Sequence, residues 1–153
     1  MIASLILTAA LTIPVVTPDV VIPVVASKSA PIQSGVRDSI YTGEFFDPTY
    51  ESKRQCIVRR ESNGHYFSTN RAGGYYGAYQ MTKPLAIGAA WMMRKELRKM
   101  YGFDNGTRIS AELRATPANK WHRFYQDMAF WTVAGWKGQG SGLKHWRGGR
   151  FSC

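Results

Sequence analysis

Two stretches decide the fold of this chain: ESNG at residues 61–64, and GAYQMT at residues 77–82, which follows a loop rich in glycine and tyrosine. Glu61 ends a short amphipathic segment that is typical of a helix. The Asn-Gly pair after it favours the left-handed backbone at which helices stop. The glycines and tyrosines of residues 65–80 predict turns with short strands. Glu61 is therefore expected at the junction of a helix and a small irregular β element.

Capping signals on either side of this junction predict three helices. Asp47-Pro48 and Thr116-Pro117 each pair an N-cap residue with a proline at the first helical position, and Thr82 precedes Pro84 in the same way. The predicted helices begin at these caps and end at about residue 61 or 62, before Gly102 and before Gly135. The aromatic residues of the third helix have helical spacing and are expected in the core.

Two other segments are expected to be irregular. Asn105-Gly106 predicts a turn, and the glycine-rich tail from Trp136 to Cys153 predicts a loop that does not follow a strand. Together with the three helices, these signals predict a mainly α (α+β) domain.

The composition indicates one packed domain with an anionic partner. The chain has 153 residues, of which 44% are hydrophobic and 13% aromatic, and this excludes a disordered chain. Twenty Lys and Arg against ten Asp and Glu give a formal net charge of +10, which attracts polyanions. Nucleic acid, an anionic membrane and an anionic cell wall all meet that description.

The first 26 residues differ from the rest and are expected to form a signal peptide or a membrane-anchor segment. Residues 2–16 are almost wholly apolar but too few to span a bilayer, and three prolines interrupt the segment near its end. Val24-Val25-Ala26 fits a cleavage site, although no Lys or Arg stands near Met1. Residues 27–46 are polar and predict a linker, which leaves residues 47–153 as the folded domain. These signals predict a secreted or wall-associated location.

The two cysteines, Cys56 and Cys153, support export because an even count in one domain indicates a disulfide in an oxidising compartment. The tail lacks the apolar periodicity to dock by itself, so we expect this bridge to hold it. The three histidines are too far apart in sequence for a helical pair of ligands, and the cysteines form no metal-binding motif. We therefore expect no metal and no cofactor.

The segment from about Tyr50 to Cys153 resembles the lysozyme-like catalytic domain of resuscitation-promoting factors and related transglycosylases of actinobacteria and their phages. The matching pieces are Glu61-Ser62-Asn63-Gly64, Gly74-Tyr75-Tyr76-Gly77-Ala78-Tyr79-Gln80, the helix around Gln126-Asp127-Met128-Ala129, and Trp146 with the terminal cysteine. One departure is that a cysteine directly precedes the catalytic glutamate in those factors, whereas Arg60 does so here. The resemblance implies a lysozyme-like fold, a peptidoglycan lytic transglycosylase or muramidase, and Glu61 as its catalytic residue.

The chemistry of glycan cleavage favours Glu61 independently of the resemblance. Breaking the β-1,4 bond between N-acetylmuramic acid and N-acetylglucosamine needs an acid that protonates the leaving oxygen. A carboxyl group can do this at neutral pH when an apolar pocket raises its pKa and keeps it protonated. Glu61 stands at a helix end beside a tyrosine-rich loop. Arg59 and Arg60 are expected to point away from it, because neighbours along a helix diverge by about 100°.

A second carboxylate would decide between two reactions. Hydrolases place it about 5 to 9.5 Å from the first, and Asp104, Glu112 and Asp127 are candidates that folding alone could bring there. None of them has a companion motif, so we expect a one-glutamate mechanism in which the sugar's own acetamido group or 6-hydroxyl is the nucleophile. That reaction is lytic transglycosylation, and muramidase-type hydrolysis is the alternative.

Aromatic and amide side chains near Glu61 are candidates for binding the glycan. Tyr76, Tyr79 and Gln80 are expected to line the groove, and Asn63, Tyr75 and Trp91 are further candidates. At least one of the tyrosines is expected in the core. The expected partners are peptidoglycan glycan strands and anionic wall polymers, with the protein as a monomer.

Two other classes of protein fit parts of the sequence. A wall-binding module with a lysozyme-like fold and little catalysis, as a part of a phage or secretion assembly, has no need of an acid in its groove. A nucleic-acid-binding protein would use the positive charge, but the chain carries no recognition-helix or single-strand-binding motif. We therefore expect no nucleic-acid partner.

Overall fold

The computed structural model describes residues 21–27, 33–147 and 153, and it is mostly helical with a small antiparallel sheet. The helices of this part of the chain are α1 (Glu51–Ser62), α2 (Lys83–Tyr101), α3 (Phe103–Ala115) and α4 (Arg123–Gly135). The strands β1 (Thr69–Asn70), β2 (Tyr75–Tyr76) and β3 (Met81–Thr82) form one antiparallel sheet in the order β1-β2-β3. The mainly α domain with a small β element is confirmed. None of the described helices is long and apolar enough to cross a membrane.

The predicted caps end α1 and begin α2, whereas α1 itself begins at Glu51, three residues after the predicted first helical position Pro48. Asp47 Oδ1 accepts a hydrogen bond from the backbone N–H of Thr49 at 2.9 Å, and the 3-10 turn Pro48–Tyr50 leads into α1. Asn63 ends α1 with a left-handed φ of 53°. The Thr82 side chain accepts a hydrogen bond from the N–H of Leu85 at 3.4 Å at the start of α2. These signals were readable because each cap satisfies backbone groups only two or three residues away.

The turn predicted at Asn105-Gly106 is wrong, because both residues lie within α3. Gly106 is buried against α2, and a Cβ at this position would stand 2.3 Å from the backbone nitrogen of Arg98. The glycine therefore lets the two helix backbones approach closely. Packing of α3 along α2 outweighs the weak helix propensity of an Asn-Gly pair.

The third predicted helix begins later than Thr116-Pro117 indicated. A 3-10 turn, Ala118–Lys120, follows the proline, and α4 begins at Arg123. His122 caps it, since its Nδ1 accepts a hydrogen bond from the N–H of Phe124 at 3.2 Å. From Arg123 to Ala134 the helix is buried on every face, so its aromatic residues form core as expected.

A buried polar cluster centred on Asp127 of α4 joins four parts of the chain. Its Oδ1 accepts hydrogen bonds from the hydroxyls of Tyr66 at 2.6 Å and Tyr79 at 2.7 Å. Its Oδ2 accepts from the N–H of Ile40 at 3.1 Å and lies 3.5 Å from Arg123 Nε. Arg54 Nη1 of α1 is 3.7 Å from Oδ1. A charge with this many partners can be buried, because its lost hydration is replaced.

Residues 33–46 contact the domain core, contrary to the linker expected over 27–46. Gln33 is 2% exposed and Tyr41 1% exposed. The Tyr41 hydroxyl hydrogen-bonds to both oxygens of the buried Glu96 carboxylate at 2.8 and 2.7 Å. Burial is the main cause that raises the pKa of Tyr41 far above its ordinary value, so this phenol stays protonated and can donate. Most of the polar side chains of the segment are nevertheless exposed, and only Gln33 and Tyr41 are buried.

The signal segment expected over residues 1–26 lies outside the described residues up to residue 20. Its described remainder is in contact with the domain. Val24 is buried, and its carbonyl accepts a hydrogen bond from the N–H of His122 at 2.7 Å. The N–H of Ala26 donates to the carbonyl of Lys120 at 2.9 Å.

The predicted disulfide is confirmed: Cys56 of α1 is bonded to Cys153, with the two Cα atoms 5.8 Å apart. It closes a loop of 97 residues, which is worth about 4 to 5 kcal/mol in the chain-entropy treatment. The tail is more structured than expected, because a 3-10 turn, Ser141–Trp146, buries Leu143 and Trp146. The tail is therefore held by packing of these side chains as well as by the disulfide.

Candidate functional site

Glu61 lies in the last turn of α1, where the backbone is held from two sides. The left-handed Asn63 ends the helix, and Ser62 Oγ donates a hydrogen bond to the carbonyl of Ala78 at 2.9 Å. This bond ties the helix end to the segment between β2 and β3. The Glu61 side chain is 25% exposed. The junction of helix and β element predicted from the sequence is thus present, with a partly exposed carboxyl group on it.

Arg60 contacts the carboxylate of Glu61, contrary to the expectation that it points away. Arg60 Nη2 and Nε lie 2.6 and 3.0 Å from Glu61 Oε1. The same Nη2 donates to the carbonyl of Trp146. The helix does separate the two Cβ atoms, but the arginine stem is long enough to bend back, and the buried tail supplies a second acceptor. Glu61 Oε2 accepts no hydrogen bond from the described residues.

Two open cavities flank the 3-10 turn Ser141–Trp146, and Glu61 is not among the residues that line either of them. The first has a volume of about 340 Å³, and Arg60 and Trp146 both line it. The second, of about 410 Å³, lies between this turn and α2. The residues that α2 contributes to its lining are apolar: Leu85, Gly88, Ala89 and Met92. The residues that α4 and the tail contribute include an exposed tryptophan and three basic side chains: Trp136, Lys137, Lys144 and His145. Both cavities are open to solvent.

The other described carboxylates are committed elsewhere or lie at other surfaces. Asp127 and Glu96 are buried and accept several core hydrogen bonds. Glu51 pairs with Arg54 at 2.6 Å, and Asp47 caps the turn before α1. The remaining four are surface residues: Asp38, Glu44, Asp104 and Glu112. Asp127 therefore cannot act as a second catalytic carboxylate without opening the core.

Tyr79 does not line a groove, which corrects the expectation from the sequence. It is 0% exposed, stacks on Phe130 with ring centroids 4.8 Å apart, and donates to Asp127. Its carbonyl accepts a hydrogen bond from Trp146 Nε1 at 2.8 Å. Burial, followed by the nearby Asp127 carboxylate, raises the pKa of Tyr79 well above its ordinary value, so the phenol stays a donor. Tyr79 therefore contributes to the site indirectly, because its carbonyl oxygen binds the indole N–H of Trp146.

The remaining candidates lie on the β element, at the end of α1 and on α2. Tyr75 is exposed on β2, and Tyr76 beside it is half-buried against α2 and α3. Gln80 has a φ of 47° and donates from Nε2 to the carbonyl of Gly77 at 2.9 Å, which holds its side chain to the β element. Asn63 is exposed at the end of α1. Trp91 is 47% exposed in the third turn of α2, where it contacts two arginines.

Three residues of the site were not predicted from the sequence. Arg60 contacts Glu61, while Trp136 and His145 stand on the rim of the second cavity. The sequence signal for Arg60 was its place next to Glu61, and for Trp136 and His145 it was the aromatic and basic composition of the tail, which does not show where the tail lies. Within the described residues, no group of three or more His, Cys, Asp or Glu is placed to hold a metal ion.

No protein-family model, curated protein or solved structure matches this chain. Conclusions about its function therefore depend on the chemistry and geometry of its own residues.

Proposed function

We propose that the protein cleaves peptidoglycan glycan strands by lytic transglycosylation, in a lysozyme-like domain of the resuscitation-promoting-factor type, with Glu61 as the single catalytic carboxylate. The observation that carries the proposal is the setting of Glu61. It is held at the junction of α1 and the β element, is partly exposed, and keeps Oε2 without a hydrogen-bond donor among the described residues. A general acid needs such an oxygen directed at the leaving group.

The distribution of carboxylates supports a one-glutamate reaction. A two-carboxylate hydrolase needs a second acid about 5 to 9.5 Å from the first. Asp127, which lies in the matching helix, is fully buried and accepts hydrogen bonds from two tyrosines. Muramidase-type hydrolysis would therefore have to recruit a surface carboxylate from elsewhere, and it is the less favoured reaction.

In the proposed reaction Glu61 acts first as acid and then as base. Its proton goes to the glycosidic oxygen, the bond between that oxygen and the anomeric carbon of the muramic acid breaks, and the electron pair leaves with the oxygen. The 6-hydroxyl of the same sugar then attacks the anomeric carbon and returns its proton to Glu61. The product carries a 1,6-anhydro ring, and Glu61 regains its starting state.

Arg60 imposes a condition on this reaction. Its guanidinium lies 2.6 and 3.0 Å from Glu61 Oε1, where the glycan has to approach the carboxyl group. The glycan must therefore separate Arg60 from Glu61 when it binds. Arg60 Nη2 already donates to the carbonyl of Trp146, so it keeps one acceptor when it leaves Glu61. Substrate binding would then leave both carboxyl oxygens of Glu61 free to contact the glycan.

The second cavity offers the features that bind a sugar chain. Small residues, Gly88 and Ala89, leave room above α2, and Trp136 presents an exposed ring at the edge. Lys137, Lys144 and His145 supply donors for acetamido, hydroxyl and carboxylate groups. Sugars are bound in this way, by aromatic faces and a few polar groups. The disulfide also fits a protein that works in an oxidising compartment outside the cytosol.

The decisive variant is Glu61→Gln, which keeps the shape of the side chain but cannot donate the carboxylic proton. We expect it to fold normally and to lose at least a factor of about 100 in the release of soluble fragments from purified cell wall. The matched control is Glu112→Gln, an equal change on the exposed face of α3, which should retain activity. Mass spectrometry of the fragments should show anhydro-muramic ends in the wild-type digest.

Two results would overturn the proposal in different ways. If Glu61→Gln releases fragments at the wild-type rate, Glu61 is not the catalytic acid. If the wild-type fragments carry reducing ends, the enzyme is a hydrolase, and a second carboxylate completes the site.

The contact between Arg60 and Glu61 favours a second candidate, a wall-binding module without catalysis. A carboxylate that stays paired with a guanidinium serves the fold and not proton transfer. This candidate predicts that the protein sediments with purified wall and that Glu61→Gln does so equally well, with no fragments released by either. Release of anhydro fragments by the wild type excludes it.

A further inference from the structure

Trp91 stands on the surface of α2 with two arginines on its ring. Its side chain is 47% exposed, although a tryptophan at this position has no role in the core. The guanidinium carbon of Arg114, from α3, lies 3.7 Å from the ring centroid, and that of Arg94 lies 4.9 Å from it. The ring attracts both cations through its negative face. The result is a pair of like charges gathered at one aromatic side chain.

These two guanidiniums keep donors available for a ligand. Arg114 uses Nε to donate to the carbonyl of Ser110 at 3.2 Å. Arg94 makes no hydrogen bond to any described residue, and no described carboxylate forms an ion pair with either arginine. Like charges held together repel each other, and an anion that contacts both removes that repulsion. Guanidinium groups bind phosphate and carboxylate oxygens through paired N–H donors, so the arrangement suits such an anion.

The pair of arginines is one end of a longer strip. Lys83, Ile87, Trp91 and Arg94 follow one another at four, four and three residues along α2, which puts them on one side of the helix. The strip extends over about 16 Å of helix from Lys83 to Arg94. A cleft of about 180 Å³ lies along this strip between α2 and the end of α3, and its lining includes Lys83, Ile87, Arg114 and Tyr76.

We propose that this strip, Tyr76, Lys83, Trp91, Arg94 and Arg114, is a binding site for an anionic glycan, separate from Glu61. Aromatic rings alternate with cations along it, which suits a polymer in which sugar rings alternate with phosphate or carboxylate groups. The net charge of +10 favours a polyanion over a neutral glycan. A disulfide indicates an oxidising compartment, where an anionic glycan rather than nucleic acid is the polyanion. Binding at the strip does not depend on catalysis by Glu61.

The test compares a strip variant with a control of the same charge. The strip variant is Arg94→Gln with Arg114→Gln, and the control is Arg71→Gln with Arg108→Gln, two exposed arginines elsewhere. Dissociation constants are measured at fixed ionic strength for polygalacturonate, a phosphomannan, a neutral chitin oligosaccharide and single-stranded DNA. The first two probes distinguish carboxylate from phosphate as the recognised group.

We expect the strip variant to weaken binding of at least one anionic glycan by a factor of ten or more, and the control by less than a factor of three. Trp91→Ala should weaken it between about twofold and thirtyfold, because the ring holds both guanidiniums. Equal losses for strip and control would show that only net charge matters. Tighter binding of DNA than of both anionic glycans, or equal binding of the neutral oligosaccharide, would also overturn the proposal.

Discussion

Replacing Asp127 by Asn tests the buried cluster on which the fold and the site both depend. The change keeps the size of the side chain but removes its charge, which leaves Arg123 and Arg54 buried at 1% and 0% exposure without that counter-charge. It also puts an amide N–H₂ where the carboxylate accepts from the N–H of Ile40 or from the two tyrosine hydroxyls. At least one buried donor then loses its acceptor.

Breaking a buried ion pair by removing one partner costs about 3 to 5 kcal/mol. Arg54 keeps its hydrogen bonds to Glu51, and Arg123 keeps those to the carbonyls of residues 37 and 38, so the lower half of this range applies. A domain of this size has a free energy of unfolding of about 5 to 15 kcal/mol. We therefore expect Asp127→Asn to lose about 3 kcal/mol, a large share of the total.

The measurement is urea unfolding followed by tryptophan fluorescence, with the disulfide intact. The midpoint should fall while the slope stays the same, because the native structure and its buried area are retained. Asp104→Asn is the control, since Asp104 is exposed in the first turn of α3, and it should cost less than about 1 kcal/mol. A loss below about 1 kcal/mol for Asp127→Asn would refute the reasoning that this carboxylate compensates buried cations.

Gly106→Ala should destabilise the protein by about 1 to 3 kcal/mol, because its Cβ would stand 2.3 Å from the Arg98 backbone. Thermal unfolding beside Gly88→Ala, a glycine of α2 with open space around it, checks this, and equal melting temperatures would contradict it. Burial lowers the pKa of His122 from its ordinary 6.5, so below that pH the unfolded chain binds a proton that the folded protein does not. Stability should therefore fall as pH drops below about 6.5, and His122→Asn, which still caps α4, should show a smaller fall.

The capping signals were readable from the sequence because they act over two or three residues. Asp47 and Thr82 each satisfy a backbone N–H at a helix start, and Asn63 takes up a left-handed backbone that few other residues tolerate. The disulfide was equally readable, since the chain holds only two cysteines and they can pair in one way.

Only part of the candidate site could be predicted from the sequence. The local pattern placed Glu61 at the end of a helix beside a β element, and the structure has it there. The surroundings of Glu61 depend on residues distant in sequence: Arg60 bends toward it while also bonding to the carbonyl of Trp146, 86 residues away. The sequence of a tyrosine-rich loop likewise does not show which ring is buried. Tyr79 is buried because its hydroxyl donates to Asp127 and its ring stacks on Phe130.

The sequence by itself determined where the first helix ends and where the second begins and ends, the small β element, the cysteine pair and the position of Glu61. Short-range hydrogen bonds and residue counts decide these features. Only the tertiary structure decided that Asn105-Gly106 is helical, that residues 33–46 are part of the core, and that the tail docks beside Glu61. In each of these cases packing against a distant element outweighs the local preference. Gly106 fits against α2, Tyr41 reaches Glu96, and Trp146 reaches Tyr79.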